Sequence, residues 1–329
     1  MAHLFADTQI PLILLVKTSS LGDVLHNLPV ASDIVRHYPN AQIDWVVEES
    51  FAALPRLHPA VRNVIPVAVR RWRSKLLSTV AWREIVAFRR VLAAQRYDVA
   101  IDTQGLLKSA LLMYDARGLR CGFDRHSARE PLAANLYQRT FPVAKGQHAV
   151  ERNRQLVAQA LGYLPEGQAD YGIQPPAIAH PTWLTKDPYA VLLHATSRAD
   201  KLWSEANWIA LGHYLREKNI RCVLPWGSKV EQARSLRLTN VIPDAVAPPR
   251  LSLNEVAALL GSAQAVIGVD TGLAHFAAAL SVPTVGIYTA TDPALTGLYA
   301  GRNAVNLGNI DCAPDVGTVI DALQRMAVC

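Results

Sequence analysis

Four short segments carry the residues that could do chemistry, and each follows an apolar run that predicts a buried strand. In open α/β sheets, ligands bind outside the carboxyl ends of the strands. A site is therefore expected in these segments, which are "KTSSLGD" (17–23), "HATSRADKLW" (194–203), "PWGSKVE" (225–231) and "VDTGLAH" (269–275).

The segment 269–275 has the composition of an anion site. Gly272 would let an anion approach the backbone, amides at the start of the following helix would face it, and Thr271 would add a hydroxyl. Asp270 or Thr271 could instead simply cap that helix. The segment alone leaves both interpretations open.

The segment 194–203 offers similar groups. Thr196 and Ser197 supply hydroxyls at a strand end, and Lys201 can reach back as a point charge, although most lysines are only solvated. Two such segments in one half of the chain indicate a nucleotide diphosphate. Glu231 could accept hydrogen bonds from ribose hydroxyls, or could only favour the dipole of its helix.

Asp23 comes just before a predicted helix over 24–37. Pro29 would interrupt this helix, so it is expected either in the first turn or at a kink. An aspartate just before such a helix is a favoured cap, which is the simpler interpretation. If two α/β domains face each other across a cleft, this carboxylate could instead take a proton from an acceptor hydroxyl while the second domain holds a donor.

Apolar runs alternate with helical periodicity in both halves of the chain, which predicts βαβ units and doubly wound parallel sheets. The proline-rich stretch 173–188 reads as a linker, with the boundary near residue 180. The predicted strands are 10–16, 42–47, 63–67, 97–102, 189–195, 221–224, 265–270 and 284–288. The predicted helices are 24–37, 79–95, 205–218, 229–238, 253–260 and 273–280.

Composition indicates a globular protein of two domains, since half of the 329 residues are hydrophobic and 18% are charged. The apolar runs fall short of the ~20 residues that span a bilayer. The leader "MAHLFADTQ" lacks the positive charge of a signal peptide. Four widely spaced cysteines without a CxxC pair favour a reducing, cytosolic setting and disfavour a structural zinc.

The basic residues are concentrated in one segment. Between Pro55 and Arg96 there are ten Lys or Arg and one acid, Glu84, while the whole chain carries a net charge of +6. The run "RRWRSK" (70–75) favours an anionic partner, which could be nucleic acid, phospholipid or an acidic small molecule, over a merely solvated face. The sequence lacks GxGxxG, P-loop, GxSxG, HExxH and DxD patterns, which disfavours nicotinamide, P-loop, serine-hydrolase and metal chemistry.

The chain resembles the lipopolysaccharide heptosyltransferases, most closely the members that act on the inner Kdo, in motifs that run in one order along nearly its full length. The resemblance implies a GT-B fold, with two Rossmann-like domains facing a central cleft: an acceptor-binding domain over 1–178 and an ADP-heptose-binding domain over 179–329. The motifs are "LVKTSSLGDVLHNLP", "DWVVEESFA", "RNVIPVAVRRWR", "DTQGLLKSALL", "AREPLA", "HAVERNR", "LHATSRADKLW", "LPWGSKVE" and "VDTGLAHFAAAL".

The resemblance also implies inverting, metal-independent transfer of L-glycero-D-manno-heptose from ADP-heptose to the inner Kdo of Kdo2-lipid A. The enzyme would have no cofactor and no nucleic-acid partner, and would lie peripherally on the anionic cytoplasmic face of the inner membrane. Asp23 would be the general base and Lys201 the second catalytic residue. The implied donor-binding residues are Thr196, Ser197, Lys201, Glu231, Leu251, Asp270, Thr271, Gly272 and His275. The implied acceptor-binding residues are Lys17, Ser20, Arg70, Arg71, Arg73 and Arg129.

Two positions depart from the family pattern, which more often has threonine at Ser197 and methionine at Leu251. Three other functions stay open. A related transferase could act on an already heptosylated core, although "RRWR" and "AREP" favour the Kdo acceptor. A GT-B sugar-nucleotide epimerase should lack the basic segment, and a nucleic-acid-binding protein would leave the four strand-end segments without a role.

Overall fold

The computed structural model describes residues 11–75 and 77–328. The chain forms two compact units that divide between Gly172 and Ile173, whereas the sequence placed the boundary six residues later, after residue 178. Each unit is built on its own parallel sheet.

The sheet of unit 1 has six strands in the order β3-β2-β1-β4-β5-β6, all parallel. The strand order reverses between β1 and β4, so the loops after these two strands flank the switch point where ligands bind in such sheets. The strands are β1 Leu12–Val16, β2 Gln42–Glu48, β3 Val61–Val67, β4 Arg96–Asp102, β5 Arg117–Phe123 and β6 Arg139–Phe141. The helices are α1 Leu21–Leu25, α2 Leu28–His37, α3 Ala53–Arg56, α4 Val69–Ser74, α5 Thr79–Ala94, α6 Leu107–Leu112 and α7 Ala149–Leu161.

The predicted helix over 24–37 is not continuous, and Pro29 lies in a first turn, which is one of the two positions expected for it. The chain instead forms α1 and α2, separated at His26 and Asn27, and α1 already begins at Leu21. Pro29 lies at the second position of α2, where a missing N–H costs nothing because that amide has no partner within the helix.

The sheet of unit 2 has five parallel strands in the order β11-β10-β9-β7-β8. Its switch point lies between β7 and β9. The strands are β7 Tyr189–Leu193, β8 Arg221–Val223, β9 Ala265–Val269, β10 Thr284–Tyr288 and β11 Ala304–Gly308. The helices are α8 Glu205–Glu217, α9 Lys229–Thr239, α10 Leu253–Gly261, α11 Gly272–Ala279, α12 Pro293–Thr296 and α13 Val316–Arg325.

The predicted strands are confirmed with ends that shift by at most two residues, as are the predicted helices other than 24–37. Ile10, the first residue of the first predicted strand, lies outside the described residues, as does the leader 1–9. The sequence did not predict the strands β5, β6 and β11 or the helices α3, α4, α6, α7, α12 and α13. Among the described residues, each helix is too short or too polar to cross a membrane.

Candidate active site

The loops after β1 and β4 are joined at the switch point of unit 1. The Lys17 ammonium donates to the carbonyl oxygen of Thr103 at 2.7 Å. The side-chain oxygen of Gln104 accepts from the backbone amides of Thr18 at 3.0 Å and Ser19 at 3.3 Å. The segment that carries Asp23 is therefore anchored to the neighbouring strand end.

Asp23 is the third residue of α1, not the residue before a helix. Its Oδ2 accepts hydrogen bonds from the Ser20 amide at 2.9 Å and the Ser20 hydroxyl at 3.2 Å. Its Oδ1 lies 3.6 Å from Nη1 of Arg129, and the side chain is 23% exposed. One oxygen thus serves the helix start, as the simpler interpretation expected, while the other faces a cation and solvent.

Lys17 is buried beside this carboxylate. Burial lowers the pKa of the Lys17 ammonium to about 8, and the negative charge of Asp23 opposes that shift. Asn153 offers its side-chain oxygen to the same ammonium at 3.4 Å. The structure therefore brings together Lys17, Ser20, Asp23 and Arg129, four of the predicted residues.

Gln104 and Asn153 were missed by sequence reasoning, as was the carboxylate that shapes their surroundings. Asp102 ends β4 fully buried and accepts from the Gln104 amide at 2.7 Å and from the Ser109 and Tyr137 hydroxyls, each at 2.7 Å. Burial raises the pKa of its carboxyl group, although these donors oppose the shift. The only sequence signal was the polar run that follows a strand in "DTQG".

Helix α4 carries three of the arginines that were predicted to bind the acceptor, and it begins at the same edge of the sheet. The amide of the buried Glu48 donates to the Thr18 carbonyl oxygen at 3.1 Å, and its side chain accepts from the Arg70 amide at 3.2 Å. Arg71 is held by the carboxylates of Glu49 and Glu84 at 3.0 and 2.8 Å. Arg73 is exposed.

The positive charge of the basic segment, residues 55–96, is partly neutralised by carboxylates. These carboxylates lie outside the segment, so counting the charges within it did not include them. Arg62 pairs with Asp44 at 2.8 Å and Arg89 pairs with Asp115 at 2.6 Å. The cationic character of the segment is therefore smaller than its composition suggests.

In unit 2, four predicted residues gather at the switch point. The Lys201 ammonium donates to Oδ2 of Asp270 at 2.6 Å, and the Thr196 hydroxyl donates to the Asp270 carbonyl oxygen at 3.1 Å. Nε2 of His275 lies 3.9 Å from Oδ1 of the same carboxylate. Burial opposes the charged form of Asp270, but hydrogen bonds from His275, Lys201 and Thr291 hold its pKa below the usual range.

Thr291 was missed, although it too follows a strand. Its hydroxyl donates to Oδ2 of Asp270 at 2.6 Å, and the Thr289 hydroxyl donates to the Asp200 carbonyl oxygen at 2.8 Å, close to Lys201. The signal was "TATD" after β10, a strand end with two hydroxyls.

The start of α11 lies within this cluster of side chains. Gly272 is its first residue, and the Thr271 side chain makes no capping hydrogen bond in the described chain. The Asp270 carboxylate is taken by Lys201 and Thr291. Side-chain capping is therefore not seen at this helix start, and the anion site stays a prediction.

The remaining predicted donor residues do not take part in the contacts just described. Ser197 is exposed in the loop that follows β7. Oε2 of Glu231 accepts from the amides of Gly227 at 2.7 Å and Ser228 at 3.1 Å, so this carboxylate does stabilise the start of α9. Leu251 lines a cavity of about 180 Å³ with Trp183. The diphosphate role of Ser197 and the nucleoside roles of Glu231 and Leu251 stay predictions.

Each unit is built on a parallel sheet and has polar residues at its switch point. In unit 2 these residues include a lysine beside the start of a helix. These features define a class of α/β enzymes that act on a phosphorylated or nucleotide-linked substrate. A family model of glycosyltransferase family 9 (heptosyltransferase) matches residues 85–323. Lipopolysaccharide heptosyltransferase 1 of Pseudomonas aeruginosa is 50% identical over 305 residues, which cover 92% of this chain and 85% of that protein.

Two solved structures share the fold over nearly the whole chain. E. coli heptosyltransferase WaaC with ADP is 43% identical with a TM-score of 0.88, covering 96% of this chain and 99% of that one. The same enzyme with ADP-2-deoxy-2-fluoro heptose is 42% identical with a TM-score of 0.82, covering 96% and 98%. The chain belongs to glycosyltransferase family 9, the heptosyltransferases. The predicted GT-B fold class and the predicted activity, heptosyl transfer in lipopolysaccharide core synthesis, are confirmed.

Proposed function

We propose that this enzyme transfers L-glycero-D-manno-heptose from ADP-heptose to the inner Kdo of Kdo2-lipid A, with inversion at the anomeric carbon. Unit 2 binds the donor, and unit 1 binds the acceptor and supplies the base. The observation that carries this proposal is Asp23: a partly exposed carboxylate at the switch point of unit 1, with one oxygen held by Ser20 and the other directed toward Arg129.

The donor side rests on the Lys201–Asp270 cluster. The diphosphate of ADP gains negative charge as the bond to the anomeric carbon breaks, and Lys201 together with the amides at the start of α11 can stabilise that charge. Asp270 and His275 reach the heptose hydroxyls, while Thr196, Ser197 and Thr271 contact the diphosphate. Glu231 and Leu251 contact the nucleoside. E. coli WaaC, with its bound ADP-heptose analogue, supports this donor.

The transfer needs one base. The Kdo hydroxyl oxygen attacks the anomeric carbon from the face opposite ADP, the bond to ADP breaks with its electron pair on the diphosphate, and the hydroxyl proton passes to Asp23. Lys17 and Ser20 lie beside the reacting groups. No metal and no cofactor enters these steps, so we expect chelation with EDTA to leave the rate unchanged.

The acceptor side rests on cations. Arg70, Arg71, Arg73 and Arg129 would hold the carboxylates and phosphates of the acceptor. Because Arg71 already pairs with Glu49 and Glu84, acceptor binding must exchange those contacts or use its remaining donors. The acceptor is an anionic membrane lipid, so the enzyme would lie peripherally on the cytoplasmic face of the inner membrane.

The direct test is transfer from ADP-heptose in vitro, with product mass as readout and NMR of the new linkage for its anomeric configuration. Kdo2-lipid A and a monoheptosylated core are offered in parallel. A product from the first acceptor supports the proposal. A product from the second alone identifies the other acceptor class, and release of free sugar or an epimer would contradict transfer.

Asp23→Asn tests the base, because asparagine keeps an oxygen for the Ser20 amide and removes the proton acceptor. We expect kcat to fall about 10²–10⁴-fold with ADP binding unchanged. Asp321→Asn, on the exposed surface of α13, is the matched control and should behave as wild type. An Asp23→Asn enzyme with normal kcat would remove Asp23 from the mechanism.

A further inference from the structure

Helix α5 has an outer face that unit 1 leaves in solvent. Its inner face is buried through Ala81, Phe88 and Leu92. On the outside, Trp82 is 56% exposed and Val86 is 41% exposed. A group of exposed large apolar side chains is typical of a surface that contacts another molecule.

The apolar residues of this face alternate with cations. Trp82 and Val86 are four residues apart, and Val86 lies three residues after Arg83 and four before Arg90, so helical geometry places all four on neighbouring rows. Arg83 and Arg90 are both exposed. Just before the helix, Leu77 is 100% exposed. We name these five residues the α5 outer face.

Negative charge is directed away from this face. Asp115, from another segment, pairs with Arg89 at 2.6 Å, whereas Arg83 and Arg90 make no ion pair with the described residues. The acidic residue of α5 itself is Glu84. Both of its carboxylate oxygens accept from Arg71, and one also accepts from the Trp72 indole N–H at 2.7 Å. The α5 outer face therefore presents apolar and cationic groups together.

We propose that the α5 outer face docks onto the headgroup layer of an anionic phospholipid bilayer. Tryptophan is the residue that membrane interfaces prefer, and arginine can bury its stem while its guanidinium stays with the phosphates. An amphipathic helix with this composition lies in the plane of the interface. The inference deepens the proposed function, since an acceptor anchored in a membrane must be reached from its surface.

The docking should be reversible and sensitive to salt. Only one face of α5 is available, because the other packs on the sheet of unit 1. Each arginine near an anionic surface contributes about fivefold in partition coefficient at low salt. That contribution falls as the Debye length shortens.

The test is sedimentation of the full-length protein with phosphatidylcholine vesicles, with or without phosphatidylglycerol. Wild type should bind the vesicles that contain phosphatidylglycerol and not those of phosphatidylcholine alone, and added salt should weaken this binding. Arg83→Gln/Arg90→Gln should lower the partition coefficient about 30-fold, and Leu77→Ser/Trp82→Ser about tenfold. The controls Arg302→Gln and Leu164→Ser change exposed residues outside this face and should bind as wild type.

Two further readouts separate this inference from the proposed function. Transfer to a water-soluble, deacylated Kdo acceptor without vesicles should be unchanged in all four variants, because the α5 outer face has no part in the chemistry. Bromine-labelled acyl chains should quench wild-type tryptophan fluorescence more than that of Trp82→Phe. Equal binding by wild type and both face variants, or binding that ignores lipid charge, would overturn the docking surface even if transfer is normal. Normal vesicle binding without transfer would overturn the proposed function instead.

Discussion

The buried ammonium of Lys17 couples the stability of unit 1 to pH. Burial lowers its folded pKa from 10.5 to about 8, so between these values the unfolded chain binds more protons than the folded chain. The free energy of unfolding should therefore rise with pH across this window. Below pH 8 the lysine is charged in both states, and the whole cost of its burial is present.

Lys17→Met removes this titration. Between pH 7.5 and 10 we expect wild type to gain about 2 kcal/mol of unfolding free energy relative to Lys17→Met, as measured by urea denaturation at each pH. Other groups titrate in both proteins, and the difference subtracts them. A constant difference across the range would show that Lys17 keeps its ordinary pKa.

Lys201 carries a prediction about the donor. Lys201→Met removes the charge expected to stabilise the departing diphosphate, so kcat should fall about 10²–10³-fold and ADP affinity about tenfold. Lys201→Arg keeps the charge and should recover part of both.

Calorimetry with ADP and steady-state kinetics measure these effects. Lys218→Met, which changes an exposed lysine just after α8, is the matched control. ADP affinity that stays at the wild-type level in Lys201→Met would place the diphosphate elsewhere.

At the scale of elements, Gln104 decides how the β1 loop is held. Gln104→Leu leaves the buried amides of Thr18 and Ser19 without their acceptor, which should cost about 2–4 kcal/mol of stability. Because this loop carries Asp23, kcat should fall about 10–100-fold while ADP affinity is unchanged.

Gln104→Glu restores an oxygen acceptor and should recover much of both losses, which a general packing defect would not show. The control is Gln159→Leu, which changes an exposed glutamine. The side-chain amide of Gln159 donates to the Pro142 carbonyl oxygen. An equal loss of ADP affinity in Gln104→Leu would contradict a positioning role confined to unit 1.

Most of the strands that the sequence predicted are largely buried, although the edge strands β3 and β8 were predicted too, and β3 has exposed positions. β1, β9 and β10 are continuous apolar runs, which the buried strands of a parallel sheet require. The missed strands lie toward the sheet edges: β5 reads "RGLRCGF" and β11 reads "AVNLG", each with exposed or polar positions. Their pairing with β4 and β10 stabilises them, and no local pattern encodes that pairing.

The candidate site, like the fold, was predicted only in part. Residues within the strand-end loops stood out, because their types depart from the core around them. Thr291 and Gln104 did not, because their importance lies in what they contact: Asp270 and the Thr18 amide are distant in sequence. Likewise, counting charges between residues 55 and 96 could not reveal Asp44, Glu49 and Asp115 as partners from other segments.

At the scale of the whole molecule, each of the two units has its own role in the proposed reaction. Unit 2 has its own core, in which Trp203 and Trp208 meet edge to face at 5.0 Å beneath the sheet. All the predicted donor residues lie in this unit, and the hydrogen bonds that gather Thr196, Lys201 and Asp270 are internal to it.

A fragment of residues 173–329 should therefore fold alone and bind ADP within about tenfold of the full-length affinity, because a core of this size can sustain an independent domain. Circular dichroism and a cooperative thermal transition report folding, and calorimetry reports binding. The same fragment with Lys201→Met should fold equally well and bind ADP more weakly. If the fragment melts cooperatively yet shows no heat with ADP, the nucleotide site must draw residues from unit 1, and the assignment of the donor to unit 2 alone is wrong.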